Sequence, residues 1–271
     1  MTTLQQIYVI IYAIFGLGIL ISTTEYLAGI KIFSSEGMLS CDLLRLNLST
    51  KNKNNFFDWL SACILTEKRL KYIFFIRCVN IILLFIIPFN SIPGWILLIT
   101  LGVSIYISSL ITRYGSDGSD QMSMLIIITF ILCLIPVHNK LLLNAGIWFI
   151  ALQSCLSYAV AGISKLVSVE WRSSNAMRLI FSTKTFGSER AALFLKKYRF
   201  ANVFLCWNVM LTEALFPVSL IVPLPFALIF LAWGFVFHLL NAIIMGLNSF
   251  FWAFMATYPA IVYVNLQIHH A

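Results

Sequence analysis

The chain has 271 residues, 61% of them hydrophobic and 10% charged, with a mean hydropathy of +0.93. No water-soluble domain buries that much apolar surface, so the composition specifies a polytopic membrane protein. The formal charge of +8 resides in connections between apolar runs, where anionic headgroups and the positive-inside rule account for it, and this excludes nucleic acid as a partner.

The first span covers 7–22 and lacks a basic n-region and a small-residue cleavage site, so it reads as a retained helix rather than a signal peptide. A mixed segment follows over 26–70. Within it, SSEGMLSCDLLRLNL and NNFFDWLSACIL carry apolar residues at helical spacing, with Ser40 and Asn55 as caps. Both are too short to cross a bilayer and are expected along its surface. Cys41 and Cys63 stand in this polar region and pair only if it faces an oxidising compartment. Cys78, Cys133, Cys155 and Cys206 lie in apolar runs as small hydrophobes, and no Cys/His spacing marks a metal site.

Spans at 72–89 and 94–111 are joined by the turn NSIP, which predicts an antiparallel hairpin. The connection TRYGSDGSD then places Asp117 and Asp120 just before a span at 122–137, although capping needs only one acid. Span five begins at 141. Along it Gln153, Ser157, Ala161 and Lys165 recur every fourth residue, beside Tyr158 and Gly162, and so predict a polar stripe turned toward a cavity inside a bundle. An amine held there and stripped of solvation is a candidate base. A lysine at a helix end more often snorkels into the headgroups.

Beyond Lys165 the stretch to about 200 is strongly basic, as expected of an amphipathic segment on anionic headgroups. Span six carries Glu213, an ionisable group in an apolar run that must find a partner or stay protonated, and Lys165 is the candidate partner. Span seven, 225–245, places His238 and Asn241 on one face. A lone inward histidine is more often a helix contact than a catalytic group. The last span covers 250–264. The fold expected is all-α and polytopic, a single domain over 1–271 with a bundle of about eight transmembrane helices and short amphipathic surface helices. With eight spans, charge places the basic loops in the cytoplasm and both termini outside. No nucleotide, zinc-protease or serine-hydrolase motif occurs in a suitable context.

Four short motifs in order, YGSDGSD at 114–120, YAVAGISKL at 158–166 with Trp171, ExxFP at 213–217, and FHLLN at 237–241 followed by GLNSF, resemble the HTTM domain. This is the membrane domain shared by vitamin K-dependent gamma-carboxylases and many bacterial proteins. In the carboxylases a lysine in a similar stretch deprotonates vitamin K hydroquinone, and the resemblance puts Lys165 in that position. Asp120 stands where vertebrate carboxylases have a histidine. The family's active site opens to the lumen or exterior, against the orientation that charge gives. The carboxylases' soluble propeptide-engaging domain has no counterpart here, and the size is similar to the B component of the bacterial sporulation-delaying peptide system.

The resemblance therefore implies a multi-pass protein of the bacterial inner (plasma) membrane that assists production or maturation of a secreted antimicrobial peptide. Lys165, Glu213 and His238 would be catalytic, and Asp117, Asp120, Gln153, Tyr158, Trp171 and Asn241 would line the cavity. The cofactor is open, with a quinone or quinol such as menaquinol as candidate. Expected partners are membrane lipids, a secreted peptide precursor and other maturation proteins. The alternatives are a non-enzymatic lipid- or quinone-binding or peptide-immunity protein, and a truncated carboxylase-like enzyme. A small-solute transporter is disfavoured by the lack of internal repeats.

Overall fold

The computed structural model describes residues 3–34, 37, 40–41, 66–89, 91–111, 118–134, 139–184 and 187–270. Asp117, Cys63, and nearly all of the two surface pieces expected over 34–65 lie outside the described residues. The chain is all-helical among the described residues, with six helices long and apolar enough to cross a membrane. Two further helices, counted as spans from the sequence, fall short of that standard. One, Glu67–Ile86, carries Glu67, Lys68, Arg69, Lys71 and Arg77. The other, Gly118–Leu134, has 17 residues, about 25 Å of helix against a hydrocarbon core of about 30 Å.

The helices divide into two compact units, 15–139 and 1–14 with 140–271. Helix α1, Thr3–Ala28, contributes to both. In the unit 15–139 it is followed by a 3-10 turn, Ile30–Phe33, and by α2 (Glu67–Ile86), α3 (Ile92–Ile111) and α4 (Gly118–Leu134). Helix α2 starts where the Thr66 side chain accepts a hydrogen bond from the Arg69 amide at 3.3 Å, with Glu67 favourably placed in the first turn. Its first turns pack Leu70 and Phe74 against Phe33 and Cys41, and Tyr26 stacks on Phe74 with ring centroids 5.3 Å apart.

The expected α2–α3 hairpin is present. Asn80 donates to the Thr100 hydroxyl at 2.6 Å, and Arg77 donates to the Ser104 hydroxyl at 3.0 Å. The later position on one helix pairs with the earlier on the other, as antiparallel helices require. Arg77 also donates to the Ser104 carbonyl and, at 2.5 Å, to the Ser108 hydroxyl, while its guanidinium sits over the Phe74 ring. The sequence reading overlooked this residue. A buried arginine survives in an apolar helix because its fork of donors finds acceptors on the neighbouring span.

The second unit is built on α5, Lys140–Val167, which is 28 residues long and so about 42 Å from end to end. Against it packs α9, Arg199–Leu215, which tightens into a 3-10 turn over Phe216–Leu220. The contact is backbone to backbone: a Cβ on Gly162 would overlap the main chain of Glu213 and Ala214, so only glycine fits. Helix α10 runs Leu224–Met245, and α11 (Asn248–Met255) with α12 (Tyr258–His270) forms the last crossing. The Asn265 amide on α12 donates to the Ser219 and Val222 carbonyls at 2.9 and 2.7 Å. It thereby satisfies main-chain groups that the 3-10 turn leaves open, which in a bilayer would cost several kcal/mol each. Between α5 and α9 come the short helices α6 (Val169–Arg172), α7 (Ala176–Phe181) and α8 (Glu189–Lys197). Helix α8 is amphipathic. Leu195 is buried while Leu193, Phe194, Lys196 and Lys197 are exposed, as expected of a surface helix.

Candidate functional site

Residues from four helices of the second unit line a partly open cavity of about 200 Å³. Helix α5 supplies Ser157, Tyr158, Ala161 and Lys165; α9 supplies Glu213; α10 supplies Phe237, His238 and Asn241; and α11 supplies Phe250 and Phe254. The Lys165 amine lies 2.6 Å from Glu213 Oε2, with the lysine side chain 21% and the glutamate side chain 5% exposed. The same nitrogen donates to the Ala161 carbonyl at 3.3 Å and stands 5.4 Å from the centre of the Trp171 ring. Lys165 is therefore turned inward, held by an acid, a carbonyl and an aromatic face. The pair is neutral overall whichever of its two groups carries the shared proton.

About two turns before Lys165 on α5, the Tyr158 hydroxyl lies 2.7 Å from His238 Nε2 and 3.1 Å from the Tyr258 hydroxyl. Aromatic packing fixes these rings. Tyr158 stacks on Phe216 at 3.8 Å between centroids, and His238 stacks on Phe254 at 4.7 Å. Gly234 on α10 leaves room for the two phenols, since a Cβ there would run into the Tyr258 hydroxyl and press on that of Tyr158. His238 Nδ1 is buried without a hydrogen-bond partner among the described residues. With the phenols donating toward His238 Nε2, Nδ1 carries the imidazole proton; with Nε2 as donor, Nδ1 is an acceptor.

Of the residues singled out in the sequence, Tyr158, Lys165, Glu213, His238 and Asn241 meet around one cavity, and Trp171 supports the amine from α6. Gln153 is half-buried on α5 but is not among the lining residues. Asp120 stands in the first turn of α4, in the other unit, where its charge acts on Arg77. Phe216 lies in the ExxFP motif at 213–217, whereas Tyr258 and Phe254 were not singled out, because nothing in their spacing distinguishes them from ordinary core residues. Arg77 had a readable signal, a lone cation inside an apolar run. No protein-family model matches this chain, and no curated protein or solved structure matches it either.

Proposed function

We propose that this multi-pass membrane protein uses the Lys165–Glu213 pair to take a proton from a ring-sized lipophilic hydroxyl compound held in the cavity. The observation that carries the proposal is the inward amine, 2.6 Å from a buried carboxylate in a pocket walled by Phe237, Phe250 and Phe254. Between them the amine and the carboxyl share one proton at rest. Accepting a second leaves ammonium beside neutral acid, so the pair gains one positive charge as the bound hydroxyl becomes an anion, and the pocket stays neutral overall. Asn241 and His238, with Ser157 and Tyr158, are the other polar groups at the wall, positioned to orient a hydroxyl or to receive the proton in turn.

The volume limits what enters. A cavity of about 150 Å³ accommodates one benzene ring, so about 200 Å³ suits a single hydroxylated ring better than the fused pair of menaquinol. A quinol in this place would supply an ionisable hydroxyl together with reducing electrons; the chain's own part is to bind the ring, exclude water and hold the proton at Lys165 and Glu213. Taken with the resemblance to the HTTM domain, this supports a bacterial inner-membrane protein that assists maturation of a secreted peptide.

The chromophoric phenol 4-nitrophenol tests the base directly, because its anion absorbs in the visible. The wild-type protein in lipid nanodiscs is expected to bind it as the anion at a pH where the free phenol is neutral, and Lys165→Met to lose that band about tenfold or more, a change of at least about 1.4 kcal/mol. An undiminished anion band in Lys165→Met would remove the amine from the chemistry. In cells, Lys165→Ala should abolish peptide maturation while the protein remains in the membrane.

A further inference from the structure

Beside the polar cavity, the second unit carries an apolar groove of about 740 Å³, bounded by the start of α1 and by α10, α11 and α12. Its lining is almost wholly hydrocarbon. Two phenols belong to the wall, yet both turn their hydroxyls away from it, Tyr258 to Tyr158 at 3.1 Å and Tyr263 to the Asn144 side chain at 2.9 Å. A polar headgroup finds almost nothing to bond there, whereas a chain of methylenes loses nothing by entering.

The length of the groove narrows its occupant. On α1 the lining positions are Thr3, Ile7, Ile10 and Ile14, a single stripe about 16 Å long at 1.5 Å per residue. That is about half of a 30 Å hydrocarbon core, the depth of one leaflet. The three crossings that frame it, α1, α10, and α11 together with α12, are each long and apolar enough to span a membrane, so the medium next to the groove is lipid hydrocarbon.

We propose that this groove binds one acyl chain of a bilayer phospholipid as a fixed component of the second unit. The site is set against the partition between the two pockets: Phe251, Trp252 and Met255 of α11 face the groove, while Phe250 and Phe254 of the same helix face the polar cavity. An acyl chain filling the groove supports α11 from behind and keeps Tyr258 in reach of Tyr158. This assignment is independent of the chemistry assigned to Lys165.

Native mass spectrometry of the full chain, purified in mild detergent, tests it. The wild type is expected to retain one phospholipid per chain. Ile10→Trp and Val262→Trp, which fill the groove from opposite walls, should each reduce the retained population about tenfold, equivalent to about 1.4 kcal/mol. Ile10 is 49% exposed, so the larger ring enters the groove without disturbing a packed core. Ile229→Trp, at a position 64% exposed and outside the groove, should leave retention unchanged. Equal retention in the groove variants, no phospholipid on the wild type, or an isoprenoid quinone as the retained mass would overturn the proposal. Should neither groove variant fold, delipidated wild type titrated with dioleoylphosphatidylglycerol decides: a rise in Tm saturating at one lipid per chain is expected, and its absence counts against the site.

Discussion

Replacing Glu213 by Leu leaves the Lys165 ammonium without its acid, and the cost can be worked from the contacts. Severing a fully buried ion pair by removing one partner costs about 3–5 kcal/mol, because the surviving charge stays in a medium of low dielectric. Two features lower that figure here. The lysine side chain keeps 21% of its exposure, and the Ala161 carbonyl at 3.3 Å and the Trp171 ring at 5.4 Å remain as partners. We therefore expect a loss of about 2–3 kcal/mol for Glu213→Leu, which corresponds to a Tm lower by about 4–12 °C at 2–4 °C per kcal/mol for chains of this size. The double variant Lys165→Met with Glu213→Leu replaces the pair by apolar groups of similar volume and should return to within about 1 kcal/mol of wild type. Denaturant unfolding of the four proteins in one micelle system gives the coupling energy, expected at about 2 kcal/mol or more. Additive losses, with a coupling below about 0.5 kcal/mol, would show that the two side chains do not depend on each other.

Gly162→Ala should destabilise by about 1–3 kcal/mol, since the added methyl meets the main chain of Glu213 and Ala214 rather than a side chain that can turn aside. The same variant should weaken the Lys165–Glu213 coupling in the double-mutant cycle, by forcing α5 from α9. In the other unit, Arg77→Lys keeps the charge but not the planar fork that reaches Ser104 and Ser108, and should cost about 1–3 kcal/mol. Hydrogen exchange should show that loss in α2 and α3, with α5 and α9 unchanged.

Lys165, Glu213 and His238 were legible in the sequence because an ionisable group in a long apolar run is costly anywhere but inside a bundle, so each had to have a partner. Which face they shared was less legible. Steps of four residues advance a helix by about 40° beyond a full turn, so Gln153 lies about 120° around from Lys165 and off the cavity. Tyr158, seven residues before Lys165, falls within about 20° of it and lines the cavity with it. Ser154, on the same line, bonds the Thr257 hydroxyl at 2.8 Å. The inward face is thus the one through Ser154, Tyr158 and Lys165. Of the eight spans expected, six are long and apolar enough to cross a membrane among the described residues, and α2 falls outside that set because its basic first turn and Arg77 are part of the helix. Tyr258 and Gly162 owe their importance to what other helices bring beside them, which no local pattern encodes.

A cluster whose only task is to join α5, α9 and α10 would be expected to close on itself. Instead, polar side chains of all three helices line a partly open cavity of about 200 Å³. His238 Nδ1, buried without a hydrogen-bond partner among the described residues, costs about 1–3 kcal/mol where packing is its only task. The same helices are elsewhere joined with no such expense: Trp233 donates to Asn208 at 2.8 Å, and Gly162 brings α5 and α9 into direct contact. Polar residues are therefore not needed at Lys165, Glu213 and His238 to hold the bundle, and apolar replacements of similar size would hold it as well. On that reasoning the double variant Lys165→Met with Glu213→Leu separates the two roles, remaining folded in the membrane while losing the 4-nitrophenolate band and peptide maturation together.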